Sequence, residues 1–407
     1  MRLVIKVISA LCFCFCLAVF ALTLFGFFML PDSIVTDSEA SLKNENAIYK
    51  VQSVSSDGQV RTISAENANE GSAYYSLLGI FPVKRVSVTP SKRDYVYLSG
   101  QCFGLKLYSD GVLIVGIDDV ILPEGEESPA KKAGLQVGDI LKQINGVSVS
   151  SNNDVSSLIG KTDGNEVEMV IIRNGETKRL SFKPFRSDGG TLKAGMWIRD
   201  SFAGIGTMTF YTDENVFGGL GHSVTDVDTG EAVPIVSGEA VNVIINGCVK
   251  GTQQSAGELY GVFTDKKLGD LSVNSDRGVF GQISSAPSQT KKVPVALRQE
   301  IKTGDAQIIS TVDENGPQYF DVKITKLFSS GESNMKNMII QVTDEKLISE
   351  TGGIVQGMSG SPIIQNGKFV GAVTHVFVNN PLEGYAIYAE NMVSQAKQMN
   401  EKIKTAA

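Results

Sequence analysis

Histidine is nearly absent, with two in 407 residues. Chemistry that needs an imidazole near neutral pH therefore has only His222 and His375 to draw on. Cysteine is almost as sparse. Of five, Cys12, Cys14 and Cys16 fall inside an apolar stretch as small apolar side chains. Cys102 and Cys248 remain, enough for one disulfide, though no spacing demands it. No cysteine pair has zinc-ligand spacing and the histidines lie in unrelated contexts, so neither a metal nor a cofactor is expected. A net charge of −7 is mild and gives no broad basic surface, which argues against nucleic acid as a partner. Alternating strands and helices are missing too, which removes the α/β-hydrolase architecture.

What is present begins with an apolar run. Val7 to Leu30 holds 24 residues without a charge, and at about 1.5 Å per residue it crosses a hydrocarbon core of roughly 30 Å. Arg2 and Lys6 precede it, so the positive-inside bias places the following chain on the extracytoplasmic face. A cleaved signal ending near Val19-Phe20-Ala21 is the competing reading and gives the same side of the membrane. Residues 1–31 are thus a cytoplasmic tip with a transmembrane anchor or signal. Residues 32–96 read as a polar tether with a short strand at Ala47 to Val51 and a β-rich lead-in at Leu77 to Val88.

From about residue 97 to 184 the chain resembles a PDZ domain of the protease-associated kind. Its most specific stretch is Ala133-Gly134-Leu135-Gln136-Val137-Gly138-Asp139-Ile140-Leu141, running on to the turn at Asn145-Gly146. A second turn, Asn174-Gly175, joins two β-prone runs as a hairpin requires. That resemblance implies a peptide-terminus groove along Phe103, Gly104 and Leu105, with a helix over Asn152 to Ile159 flanking it. Residues 191–407 carry short β-prone runs divided by Gly, Asn and Asp, and close on a helix over Ala389 to Lys404. The fold expected is mainly β: a transmembrane helix, an α+β PDZ domain and a β-barrel or sandwich domain.

The chemistry concentrates in Gly357-Met358-Ser359-Gly360-Ser361-Pro362. A serine between small residues on a tight turn exposes its hydroxyl, and the amides of Gly357 and Ser359 make a candidate oxyanion hole. His222, in Gly219-Leu220-Gly221-His222, is assigned as its base, because a crowded glycine-rich loop can hold an imidazole in one orientation. His375, on the strand after the serine, is placed in the specificity pocket, where it would favour Gln or Glu before the scissile bond. For the carboxylate that completes such a set, Asp226, Asp228 and Asp344 all remain open.

The segments Ala203-Gly204-Ile205-Gly206-Thr207-Met208-Thr209-Phe210-Tyr211, Gly219 to His222 and Gly352 to Pro362 closely resemble the stage IV sporulation protein B peptidases. The match spans nearly the whole chain. It implies a trypsin-like catalytic domain whose histidine, aspartate and serine map onto His222, Asp344 and Ser359. An aspartate 15 residues before the serine departs from the chymotrypsin arrangement, where it lies about midway. The resemblance further implies self-cleavage in the tether and cleavage of a membrane-associated regulator of an intramembrane protease. This would occur in the space between forespore and mother cell, signalling activation of a late sigma factor. The rival from another class is a catalytically silent PDZ scaffold at the same membrane.

Overall fold

The computed structural model describes residues 2–30, 33–36, 48–54, 60–61, 71–90, 92–122, 125–187, 189–284, 291–328 and 336–406. The chain divides into two compact units, Met1–Tyr95 with Pro294–Lys302, and Val96–Val293 with Thr303–Ala407.

In the first unit, helix α1 (Arg2–Met29) follows from the uninterrupted apolar run. Its Val4–Phe28 span has mean hydropathy 2.7 and is largely exposed, with Gly26 buried beside Tyr49. This is a helix long and apolar enough to cross a membrane. Beside it the strands Ser33–Thr36, Phe81–Pro90, Gly71–Leu77, Tyr49–Val54 and Val60–Arg61 form one sheet in that spatial order. The β-rich lead-in forms as expected. The tether is more structured than its polar composition suggested, although residues 37–47, 55–59 and 62–70 lie outside the described residues.

The second unit is built on two strand rings. We label its strands β1 (Cys102–Ile117), β2 (Ile140–Ile144), β3 (Val167–Arg173), β4 (Glu176–Phe182), β5 (Met196–Tyr211), β6 (Val216–Gly219), β7 (Ile235–Val249), β8 (Glu258–Ser275) and β9 (Gly278–Ile283). Antiparallel pairings run β1 to β7, β7 to β8, β8 to β9, β9 to β6, β6 to β5 and β5 back to β1, which closes the first barrel. Its core holds Phe103, Leu105, Leu107, Met208, Phe217, Leu271 and Val279. The second barrel closes through β10 (Gly304–Thr311), β11 (Pro317–Leu327), β12 (Met338–Val342), β15 (Asn380–Tyr388), β14 (Lys368–Phe377) and β13 (Pro362–Gln365). Phe320, Ile340, Ile363, Phe369 and Ala372 are buried on its strands. Closure pairs the neighbouring strands around each ring and leaves the ring itself no terminal strand. The closing helix Ala389–Ala406 forms as expected, with Met392, Ala396 and Met399 buried.

The PDZ domain is threaded into the first barrel rather than placed before it. β1 and β5 are each 16 residues long and serve both bodies. In the barrel, Cys102 to Tyr108 pairs with Ser201 to Thr207; in the PDZ sheet, Leu113 to Ile117 pairs with Met196 to Arg199. The PDZ sheet continues through β2, β3 and β4 and encloses a core of Ile114, Leu135, Leu141, Ile144, Val155, Met169 and Ile171. Its flanking helix α2 (Asn152–Gly160) starts with a reciprocal capping box between Ser151 and Asp154. The hairpin turn at Asn174 and Gly175 takes φ values of 51° and 79°, as a type I′ turn requires.

This threading corrects the expected peptide groove. Phe103, Gly104 and Leu105 pair with β5 on one side and β7 on the other, and Phe103 and Leu105 are buried in the barrel core. A strand with both edges taken cannot accept a peptide. Residues 102–109, expected in the PDZ domain, are therefore barrel. Among the described residues the PDZ sheet has two open edges, one on β4 and one on β5 from Met196 to Ser201, and α2 lies against the latter, with the Asn152 amide donating to Asp200 Oδ2 at 2.8 Å.

Candidate active site

The serine turn leads from the helix α3 (Glu345–Thr351) into β13. Gly357 and Gly360 hold it in shape with φ of +100° and +97°. A Cβ on Gly360 would lie 2.1 Å from the Thr207 carbonyl oxygen and 2.5 Å from the Leu220 nitrogen, so only glycine lets the two barrels approach here. The backbone bonds of the turn are selective. The amides of Met358, Gly360 and Ser361 donate to Val355, Val373 and Met358 carbonyls, whereas among the described residues the amides of Gly357 and Ser359 meet no acceptor. These are the two amides expected to form the oxyanion hole. Ser359 is half-buried, and its hydroxyl donates to the Thr374 carbonyl at 2.6 Å.

His222 follows β6 on the facing barrel. Its Nδ1 lies 2.8 Å from the Ser223 carbonyl oxygen. A carbonyl only accepts, so Nδ1 carries the proton and Nε2 keeps its lone pair, the tautomer a general base needs. Burial pushes the imidazole below its ordinary pKa of 6.5, against the smaller opposing effect of the Ser223 bond. The ring is therefore neutral at pH 7. The loop that follows folds around Asp226, which is 2% exposed. The carboxylate accepts the amides of Asp228 and Thr229 at 3.0 and 2.9 Å and pairs with Arg199, which also reaches Asp228 at 2.7 Å. Burial alone would raise the Asp226 carboxyl; the Thr229 amide and the Arg199 guanidinium outweigh it and hold it below the usual carboxylate range.

The structure brings His222, Ser359 and His375 to one place, since Gly221 packs on Thr374, whose carbonyl accepts the serine hydroxyl and which directly precedes His375. His375 projects from β14 with its ring centroid 4.6 Å from that of His222, and it is exposed. Desolvation, the neighbouring His222 and Lys336 push its pKa down to about 4. Asp344 stands elsewhere. It is the N-cap of α3, accepting the amides of Leu347 at 3.0 Å and Asp321 at 3.2 Å. Strand register shows the separation: Tyr385 lies opposite both His375 and Ile339, whereas Asp344 stands past the far end of β12, at the start of α3. Among the described residues no carboxylate bonds either ring nitrogen of His222. Asp226 and Asp228, the other two candidates, are engaged by Arg199.

Cys102 and Cys248, which the spacing left free to pair or not, are separate thiols: Cys102 is buried against the Thr311 carbonyl and Cys248 is part-exposed. Sequence reasoning missed Thr207 and Thr209, buried on β5, whose hydroxyls donate to Gly357 and Gly360 carbonyls at 2.8 and 2.7 Å. Two threonines alternating in an apolar strand facing a core were the available signal.

A family model described as SpoIVB peptidase S55 matches residues 190–393, and a PDZ-domain model matches residues 120–173. Two barrels, a serine turn between them and a PDZ insert define a PDZ-containing serine peptidase. The chain belongs to the SpoIVB peptidase S55 family. Curated relatives align over short stretches. A zinc metalloprotease RasP of Shouchella clausii is 41% identical over 73 residues, 18% of this chain and 16% of that protein. A probable periplasmic serine endoprotease DegP-like of Halomonas elongata is 31% identical over 114 residues, 28% of this chain and 20% of that protein. The chain thus spans a fifth or less of these relatives. Among solved structures, an SdrC-like PDZ domain from Listeria monocytogenes is 20% identical, with 22% of this chain and 87% of that chain covered at a TM-score of 0.19. An inactive form of Rv3671c from M. tuberculosis H37Rv is 12% identical, with 49% and 82% covered at a TM-score of 0.27.

Proposed function

We propose that Ser359 is the nucleophile and His222 the general base of a membrane-anchored endopeptidase. The unpartnered amides of Gly357 and Ser359, flanking a half-buried hydroxyl, are the observation that supports this reading most. In the reaction, a peptide carbonyl enters with its oxygen toward those amides, and the Ser359 hydroxyl turns from Thr374 to His222 Nε2. Oγ attacks the carbonyl carbon as Nε2 takes its proton, and the same proton passes to the leaving amine; water then releases the acyl group by the reverse path. The Ser223 carbonyl holds the imidazole tautomer, and Asp344 acts one step back by capping the helix that leads to the serine turn. His375 borders the entrance and contributes to side-chain preference.

A peptide terminus would add as a strand to the open edge of β5 at Met196 to Ser201, against α2. Trp197, the chain's single tryptophan, stands 63% exposed on that edge and would report binding by fluorescence. The biological task we infer is self-cleavage and cleavage of a membrane-associated regulator of an intramembrane protease, at the extracytoplasmic face between forespore and mother cell, to signal late sigma-factor activation. Family membership supports that setting.

One observation favours the silent-scaffold reading: the Ser359 hydroxyl is bonded to Thr374 rather than to His222. The test is to follow self-cleavage of the full chain in membranes beside its Ser359→Ala variant. Fragments from the native chain alone support the peptidase; an intact native chain that still binds peptide at Trp197 supports the scaffold.

A further inference from the structure

We propose that Thr207 is the positioning residue of the active site, a single buried residue whose side chain, amide and carbonyl set the oxyanion amides and the base relative to each other. The proposal rests on the assignment of Ser359 and His222 above. Thr207 is 0% exposed on β5 and makes three connections. Its amide donates to the Ser359 carbonyl at 2.9 Å, its hydroxyl donates to the Gly357 carbonyl at 2.8 Å, and its own carbonyl accepts the Leu220 amide at 3.2 Å, two residues before His222. One residue of the first barrel thus holds the serine turn of the second and the approach to the histidine.

The hydroxyl bond has a specific consequence. Gly357 sits at φ +100°, in a region where glycine is free to rotate and nothing intrinsic fixes its carbonyl. That carbonyl lies between the two amides of the oxyanion hole, one on Gly357 itself and one on Ser359. Anchoring it on the Thr207 hydroxyl stops the turn between those amides from rotating. Thr209 makes a matching bond to the Gly360 carbonyl at 2.7 Å from equal burial, but on the far side of the serine. The two threonines are therefore a built-in comparison: similar hydrogen bonds, one inside the hole and one outside it.

The experiment measures fluorophosphonate reaction of the full chain in detergent, separating the rate at saturating probe from the half-saturation concentration. The phosphoryl oxygen of the probe occupies the oxyanion hole, so the saturating rate reads its geometry. Thr207→Val is expected to lower that rate about tenfold to a hundredfold, the scale of a misplaced reacting group, with half-saturation changed less than about twofold. Thr207→Ser, which restores the hydroxyl, is expected to recover most of it, and Thr209→Val to lose less than about threefold. Thr207→Ala replaces the valine variant if that one does not fold. Equal losses in the two valine variants, a loss confined to half-saturation, or an unchanged Thr207→Val rate beside an unreactive Ser359→Ala would overturn the role of Thr207 alone. An unreactive native chain, or a reactive Ser359→Ala, would overturn the assignment beneath it and this proposal with it.

Discussion

The ring of His222 lies 4.6 Å from that of His375, centroid to centroid, at an interplanar angle of 39°. The chain's two histidines, 153 positions apart, thus share one site. Both titrate below the ordinary imidazole value, His222 chiefly through burial and His375 at about 4 through desolvation, His222 and Lys336. A base with a lowered pKa stays neutral further into acid, so the acid limb of kcat/KM should fall below pH 6.5. In His375→Ala, water reaches the His222 ring and the limb should move up toward 6.5. A pH profile of both proteins checks this, and an unmoved limb would refute it. The sign for stability follows from linkage: the unfolded histidines take protons first, so stability should fall with decreasing pH between about 6.5 and 4.

Asp344 separates two roles through a pair of substitutions. As a helix cap, it should tolerate Asp344→Asn, because asparagine caps as well as aspartate, whereas Asp344→Ala should cost about 1 kcal/mol of stability and disturb the approach to the serine turn. As a partner of His222 it would lose about ten-thousandfold in kcat even with asparagine. Retained activity in the asparagine variant is expected, and the kinetic assay on the two variants decides.

Gly360→Ala should abolish activity and cost at least about 3 kcal/mol, because its Cβ meets backbone atoms of both Thr207 and Leu220 and the position holds a positive φ. Gly204→Ala, with nothing within 4 Å of its Cβ, should stay within about 1 kcal/mol of the native chain. Thermal unfolding of the two variants measures the contrast.

The two cysteines outside α1 should react differently. Cys102 is 1% exposed and burial pushes its thiol up to about 12, so a maleimide should reach it only after denaturation, while Cys248 should label in the folded chain. Mass mapping before and after denaturation distinguishes them.

Much of this was legible in the sequence because the signals are local. The apolar run at Val7 to Leu30 encodes α1, the Asn174-Gly175 pair its hairpin, and the glycines around Ser359 their turn. What escaped was set by distant pairing. Phe103-Gly104-Leu105 reads as an edge strand, and only the partners Gly206 and Val241, more than a hundred residues away, make it central. The split of β1 and β5 between barrel and PDZ domain follows from the same long-range register, as does the meeting of His222 with His375. Asp344 was placed by resemblance, and its observed bonds are those of a helix cap.

The central claim is that Ser359 is activated by His222, and the most direct measurement is mass-spectrometric mapping of a fluorophosphonate adduct on the intact chain. One adduct is expected, on the peptide containing Ser359, absent in His222→Gln. A folded chain that takes no adduct, or takes it with His222→Gln as fast as without, would contradict it.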